Sequence, residues 1–178
     1  MNGVRKRTYD LAMRLVLTST TRVHRVLDRA SHGRLGRHFP GGMQVVWIST
    51  LGRRSGQWRR TPLLAVRDGA GSTGSATSYV VAGSNAGQAR VPGWVFNVRD
   101  HPSGYLEVDG IPSRARFEET LGTDRDALYR RLAQSWRSFT SYEKHAERYI
   151  PVFRVVLEEQ VSSVPGMPPK PARPPRPS

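Results

Sequence analysis

The densest concentration of chemically capable residues is the run Thr50-Leu51-Gly52-Arg53-Arg54-Ser55-Gly56-Gln57-Trp58-Arg59-Arg60. It packs four arginines, two glycines and a serine into a turn-rich stretch behind an apolar segment. Glycines let backbone N–H groups approach an anion, Ser55 adds a hydroxyl donor, and guanidinium forks grip phosphate or carboxylate oxygens two at a time. A solvated basic hairpin has the same composition, so this segment alone leaves both readings open. A second polar loop, Ser84-Asn85-Ala86-Gly87, follows an apolar run and leads through Pro92-Gly93-Trp94 to Asn97. Trp94 and Asn97 are three apart and share one side of a short helix. The indole serves equally as a plug between helix and sheet or as a stacking surface for a ligand.

Other chemistries find no support. The chain has no cysteine, which removes disulfides, thiolate nucleophiles and cysteine-bound metals. The histidines at 24, 32, 38, 101 and 145 have no metal-ligand spacing, and there is no GxSxG elbow for a hydrolase. We expect no metal site. Gly69, Gly71 and Gly74 spell GxGxxG, but the third glycine leads through Ser75 and Ser78 into the apolar run Tyr79-Val80-Val81 instead of opening a helix. A dinucleotide fingerprint needs that helix, so a hairpin is the better reading.

The elements that must position the two loops are mostly strands. Alternating and β-branched segments predict strands at 44–50, 59–68, 79–84, 104–108, 113–119 and 152–158. Short helices fit at 92–99, with Pro92 in the first helical position, and at 124–138, with Thr123 as N-cap. Ahead of the strands, apolar and small residues at 12, 16, 19, 23, 26 and 30 mark one face of an amphipathic helix with arginines on the other. Gly33, Gly36, Pro40, Gly41 and Gly42 end it. The organisation is therefore a basic helical extension over 1–40, a barrel domain over 41–160 and a proline-rich tail over 161–178, expected to be disordered from residue 164.

With 178 residues, one core suffices. The N-terminus is basic, but Asp10 and Arg14 interrupt its apolar stretch Leu11 to Leu17, and no window approaches a membrane span. We expect a cytoplasmic protein, with peripheral attachment to the inner face of the membrane as an option. Lys and Arg number 28 against 14 Asp and Glu, a formal net charge of +14. Residues 1–38 hold nine of those bases and two acids, which makes an anionic membrane surface a candidate partner. Nucleic acid is disfavoured, because the arginines are not interleaved with exposed aromatics that would stack bases.

Taken together, the loops resemble the family of reductases that use the 5-deazaflavin coenzyme F-420, the nitroreductase and quinone reductase family. Its first signature is filled by Thr50, Gly52, Arg53, Ser55, Gly56, Arg59, Pro62 and Leu63. The second is matched by Gly83, Ser84, Gly87, Pro92, Trp94 and Asn97, and the third by Phe139 and Tyr142 ahead of Arg148, Ile150 and Pro151. The resemblance spans about residues 35–157.

It implies a mainly β (α+β) fold, a six-stranded antiparallel split β-barrel of the flavin-binding type, found as monomers and homodimers. It also implies that Arg53, Arg54, Ser55, Gly56, Gln57, Arg59 and Pro62 line the site of the coenzyme's phosphate and acidic tail. Ser84, Asn85, Gly87, Trp94 and Asn97 would contact its phosphate, ribityl or ring portion. Leu64, Trp136, Phe139 and Tyr142 would form the substrate pocket. The implied reaction is hydride transfer from the reduced deazaflavin to an electron-poor small molecule such as a quinone or enone, with nitro compounds as a further class and Ser84 or Tyr142 as the catalytic hydrogen-bond donor. Phe139 stands where tyrosine is frequent, and Leu64 where some nitro-reducing members carry an aromatic, which argues against nitroimidazoles. Asn85 and Ala86 replace a lysine and a glycine of some members, shifting the phosphate grip toward the arginines. FMN is the alternative cofactor; its single phosphate needs fewer cations.

Overall fold

The computed structural model describes residues 42–70 and 77–166. The basic extension 1–40, with its proposed membrane contact, and the end of the proline-rich tail lie outside the described residues. Six antiparallel strands, β1 (Met43–Leu51), β2 (Trp58–Ala70), β3 (Thr77–Ala82), β4 (Ser103–Val108), β5 (Ile111–Thr120) and β6 (Val152–Gln160), close in the order β1-β2-β3-β6-β5-β4. Helix α1 (Gly93–Asp100) lies between β3 and β4, and α2 (Gly122–Ser135) and α3 (Phe139–Ala146) lie between β5 and β6. Among the described residues, no helix is long and apolar enough to cross a membrane.

Two-residue alternation explains the layering. On β3, Tyr79 and Val81 join Val46, Ile48, Leu106, Phe117, Phe153 and Val155 in one buried cluster, together with Trp94, Val95 and Val98 of α1. Their neighbours Val80 and Ala82 join a second cluster with Leu128, Tyr129, Leu132 and Phe139 from α2 and α3. This part of the barrel is thus covered on both faces, which is why β3 reads as an unbroken apolar run.

The pairing of β2 shapes the site. Residues 58–66 pair with β1, whereas β3 begins its pairing only at Ala65. Trp58 to Leu64 therefore have no strand on their second edge among the described residues. Pro62, opposite Trp47, sits in this half-free stretch, where a missing N–H breaks no second ladder. The residues flanking the GxGxxG glycines pair as the hairpin reading expects, with Ala70 opposite Thr77.

The expected helix boundaries need correction: Pro92 takes the N-cap position of α1, which starts at Gly93. The helix expected at 124–138 from Thr123 spans Gly122–Ser135, with Leu121 at the N-cap position. It stops because Trp136 leaves the helical path to pack against the second cluster. The next residues form α3, a separate helix whose Phe139 ring meets Tyr129 edge-on at 5.9 Å. At the start of the segment expected as a tail, Val161 N–H donates to Pro112 O at 3.0 Å and a Cβ on Gly166 would lie 3.4 Å from Trp58 Cδ1; residues 167–178 lie outside the described residues.

Candidate functional site

The first loop is a tight turn held by its own backbone. Gly52 N–H donates to Gln57 O at 2.9 Å, and Ser55 and Gly56 donate to Gly52 O at 3.0 and 2.7 Å. The Ser55 hydroxyl oxygen accepts from Arg59 Nη2 at 3.4 Å. Arg53, Arg54, Ser55, Gly56, Gln57 and Arg59 are all exposed. Arg60 is neutralised by Glu107 at 2.6 Å, with its guanidinium over the Trp47 ring. Arg53, Arg54 and Arg59 form no ion pair among the described residues. The turn thus offers three uncompensated guanidinium groups on a fixed backbone.

Asn97 ties this turn to the second loop. Its Oδ1 accepts from Arg53 N–H at 3.3 Å, and its Nδ2 donates to Thr50 Oγ1 at 3.1 Å. Both ends of the carboxamide hold protein, so Asn97 acts as a strut that fixes the arginine turn to α1. Trp94 is 4% exposed and meets Phe153 edge-on at 5.2 Å. Its ring is the core plug, and the ligand-stacking reading falls with that burial.

The second loop has an unusual backbone. Ser84 is in the right-handed helical region, and Asn85, Ala86 and Gly87 then have φ of 48°, 51° and 76°. Left-handed conformation at two non-glycine residues costs of order 1 kcal/mol each, and such strain concentrates at functional sites. A right-handed residue followed by a left-handed one turns successive N–H groups toward one side, the geometry of an anion nest. Ser84 makes no side-chain bond within this turn. Gly83 must be small, since a Cβ there would come 2.7 Å from Val95 Cγ2 and 3.0 Å from Pro151 Cγ.

Helix α3 roofs the loop. A Cβ on Gly87 would lie 3.1 Å from Tyr142 Cδ1, so the Tyr142 ring rests directly on the turn. Tyr142 also packs on Phe139, ring centroids 5.1 Å apart, and with Leu64 and Trp136 borders the second cluster as a half-buried rim. Phe139 is fully inside and supports Tyr142 from behind. Burial pushes the Tyr142 hydroxyl above its usual range, while hydrogen bonds with Ser138 and Trp136 pull it back. Through neutral pH it is a protonated donor.

Two arginines that carried no role in the sequence reading hold this assembly together. Arg148 Nη2 donates to Gly83 O and Ser84 O at 2.9 and 3.1 Å, and its Nε donates to Gln88 O at 3.2 Å. Desolvation lowers its pKa, as expected for a cation whose partners are carbonyls. Arg125 is 3% exposed, bonds Ile150 O through Nε and Nη2 at 3.1 and 2.7 Å, and pairs with Glu143 of α3. Its guanidinium lies between the rings of Tyr129 and Tyr149 at 4.4 and 4.1 Å. Arg148 was visible as part of the third signature; nothing local marked Arg125, which reads as the polar face of a helix.

The geometry therefore brings the arginine turn, the Ser84–Gly87 turn and the Tyr142 roof around α1 and the half-free edge of β2. A family model described as F-420H(2)-dependent quinone reductase matches residues 20–159. The chain belongs to the F-420H(2)-dependent quinone reductase family. An F-420H(2)-dependent quinone reductase of Mycobacterium tuberculosis is 29% identical over 136 residues, 74% of this chain and 85% of that protein. Among solved structures, an F-420-H2 dependent reductase aligns at TM-score 0.54 and 25% identity, covering 62% of this chain and 92% of that one. A structure described as a domain-swapped dimer aligns at TM-score 0.56 and 22% identity, covering 79% and 98%, and supports the barrel fold.

Members of this family take electrons from reduced deazaflavin. The donor set here fits such a ligand: three guanidiniums without an ion pair among the described residues answer an acidic tail, and the strained turn answers a phosphate or ring oxygen. Among the described residues, no cluster of His, Cys, Asp or Glu has the arrangement of a metal site.

Proposed function

We propose that the chain is an oxidoreductase that binds reduced coenzyme F-420 along the groove from the arginine turn to the Tyr142 roof and reduces a quinone or related electron-poor carbonyl compound there. The observation that carries the reading is the Arg53–Asn97–Thr50 linkage, which fixes a turn bearing three arginines without ion pairs among the described residues to α1, the helix that follows the left-handed Asn85–Gly87 turn in the chain.

When bound, the coenzyme supplies a hydride, so the protein's task is orientation, charge stabilisation and exclusion of water. Arg53, Arg54 and Arg59, aided by Ser55, Gly56 and Gln57, hold the acidic tail. Pro62 and the half-free edge of β2 shape the wall beside it. Ser84, Asn85 and Gly87 meet the polar middle of the coenzyme. Leu64, Trp136 and Tyr142, backed by Phe139, close the acceptor side. Ser84 or Tyr142 donates a hydrogen bond to the substrate oxygen as it gains negative charge, where a fixed donor contributes most. FMN would leave most of these guanidiniums without a partner, which favours the longer, more acidic ligand.

The test is turnover: reduced F-420 with a soluble quinone should be oxidised only when the protein is present, with nitroimidazoles slower. A chain that fails to oxidise reduced F-420 with any quinone or nitro acceptor, yet turns over reduced FMN, would overturn the cofactor assignment. Contact with an anionic membrane through residues 1–38, nine bases against two acids, is a compatible addition for a reductase of lipid-soluble quinones.

A further inference from the structure

Among the described residues, one buried side-chain polar atom has no hydrogen-bond partner: Nε2 of Gln88. The rest of that residue is engaged. Its Oε1 accepts from Asn85 Nδ2 at 3.2 Å, its N–H donates to Asn85 O at 3.1 Å, and its carbonyl accepts from Arg148 Nε at 3.2 Å. Gln88 is 4% exposed, so its spare donor gains nothing from bulk water. Buried donors without partners are rare because they forfeit hydration without return, and a leucine of similar volume would avoid the loss.

The residue lines an open cleft of ≈ 360 Å³ together with Asn85, Arg90, Val91, Pro92 and Gly93. Three features of this cleft ask for the same ligand. Arg90 is exposed and forms no ion pair among the described residues. Helix α1 begins here at Gly93, with Pro92 in the N-cap position; Val95 N–H donates to Pro92 O at 3.2 Å, and no side chain caps the N–H groups of Gly93 and Trp94 ahead of it. The carboxamide of Gln88 adds a donor that the fold has left unspent.

We propose that this cleft is an oxyanion subsite in which Gln88 Nε2, Arg90 and the start of α1 bind a phosphate or carboxylate oxygen of the coenzyme. The proposal rests on the coenzyme reading above and extends it to two residues that fill none of the signature positions. A change of side-chain rotamer raises the amide from the floor of the cleft. Asn85 Nδ2 then keeps its other bond, to Arg90 O at 3.1 Å, so the turn survives the exchange.

The experiment measures F-420 binding by fluorescence, and melting temperature, for the wild type, Gln88→Leu, Gln88→Glu and Arg90→Ala. The subsite predicts that Gln88→Leu melts at or above the wild-type temperature while its dissociation constant rises roughly tenfold, the loss of one bond to a charged group. Gln88→Glu, which keeps the shape and loses the donors, should weaken binding further by repelling the anion. Arg90→Ala should weaken binding and lessen its salt dependence. If the wild type binds F-420 and Gln88→Leu binds it equally well, the subsite is overturned and the coenzyme reading stands. If the wild type binds no F-420, both fall. Should Gln88→Leu melt lower, Gln88→Glu decides: normal binding overturns the subsite, and weakened binding at the wild-type melting temperature supports it.

Discussion

Replacing Arg148 with methionine probes how the C-terminal signature supports the second loop. The side chain keeps most of its apolar stem and loses the guanidinium that donates to Gly83 O, Ser84 O and Gln88 O at 2.9, 3.1 and 3.2 Å. Bonds from a charged donor contribute roughly 1.5–3 kcal/mol each. Their sum overstates the loss, because the guanidinium is only half-buried and water can reach part of the gap. Discounting for that exposure, the variant should lose about 2–4 kcal/mol of stability. For a chain of this size that is a fall in melting temperature of about 5–15 °C. Coenzyme affinity should fall in parallel, since the Ser84–Gly87 turn loses its tether while the arginine turn keeps its own backbone bonds. Arg148→Lys should recover part of the stability, because an ammonium reaches one or two carbonyls but lacks the fork. The assay is thermal melting beside coenzyme titration. A methionine variant melting within ~1 °C of the wild type would refute the clamp.

Two further expectations concern the roof. Tyr142→Phe keeps the ring that rests on Gly87, so coenzyme binding should be unchanged; quinone turnover should drop by roughly tenfold or more through loss of the donor. Unchanged turnover would leave Tyr142 a packing residue and Ser84 the donor. The pH dependence has a definite sign. Burial raises the pKa of both Tyr129 and Tyr142, so the folded state holds these protons more tightly than the unfolded chain. Their contribution to stability is complete below the unfolded value of about 10 and is lost as pH rises above it. Melting temperature should therefore be flat from these groups near neutrality and decline in strong alkali, less steeply in Tyr142→Phe; an identical alkaline decline in that variant would show that Tyr142 is not one of its sources.

The strands were legible because alternation is a local signal: each of the six expected segments overlaps an observed strand within a few residues at either end. Boundaries moved where tertiary contacts decide them. Strand β3 ends at Ala82, short of the expected Ser84: Gly83 N–H still donates to Pro151 O, its partner in register, at 2.8 Å, but Ser84 then enters the right-handed helical region and opens the turn. Helix α3 was illegible as a helix: Phe139-Thr140-Ser141-Tyr142 has weak intrinsic propensity, and the segment is held by Phe139 on Tyr129 and by Glu143 on Arg125. The arginine turn was readable as a cluster of cations, yet its attachment to Asn97 joins residues 44 apart and has no local trace. The same spacing problem concealed Arg125, whose carbonyl partner Ile150 lies 25 residues away. Trp94 shows the limit of reading by residue type, since composition left core plug and ligand platform equal and only burial separated them.

The most direct test of the account is titration of the purified protein with F-420, with FMN in parallel, across a range of salt, for the wild type and for Arg53→Ala combined with Arg59→Ala. The account predicts tight F-420 binding that weakens with salt, weak FMN binding, and at least a tenfold loss of F-420 affinity in the double variant without a change in melting temperature. Preferential binding of FMN, or F-420 binding indifferent to both arginines, would contradict it.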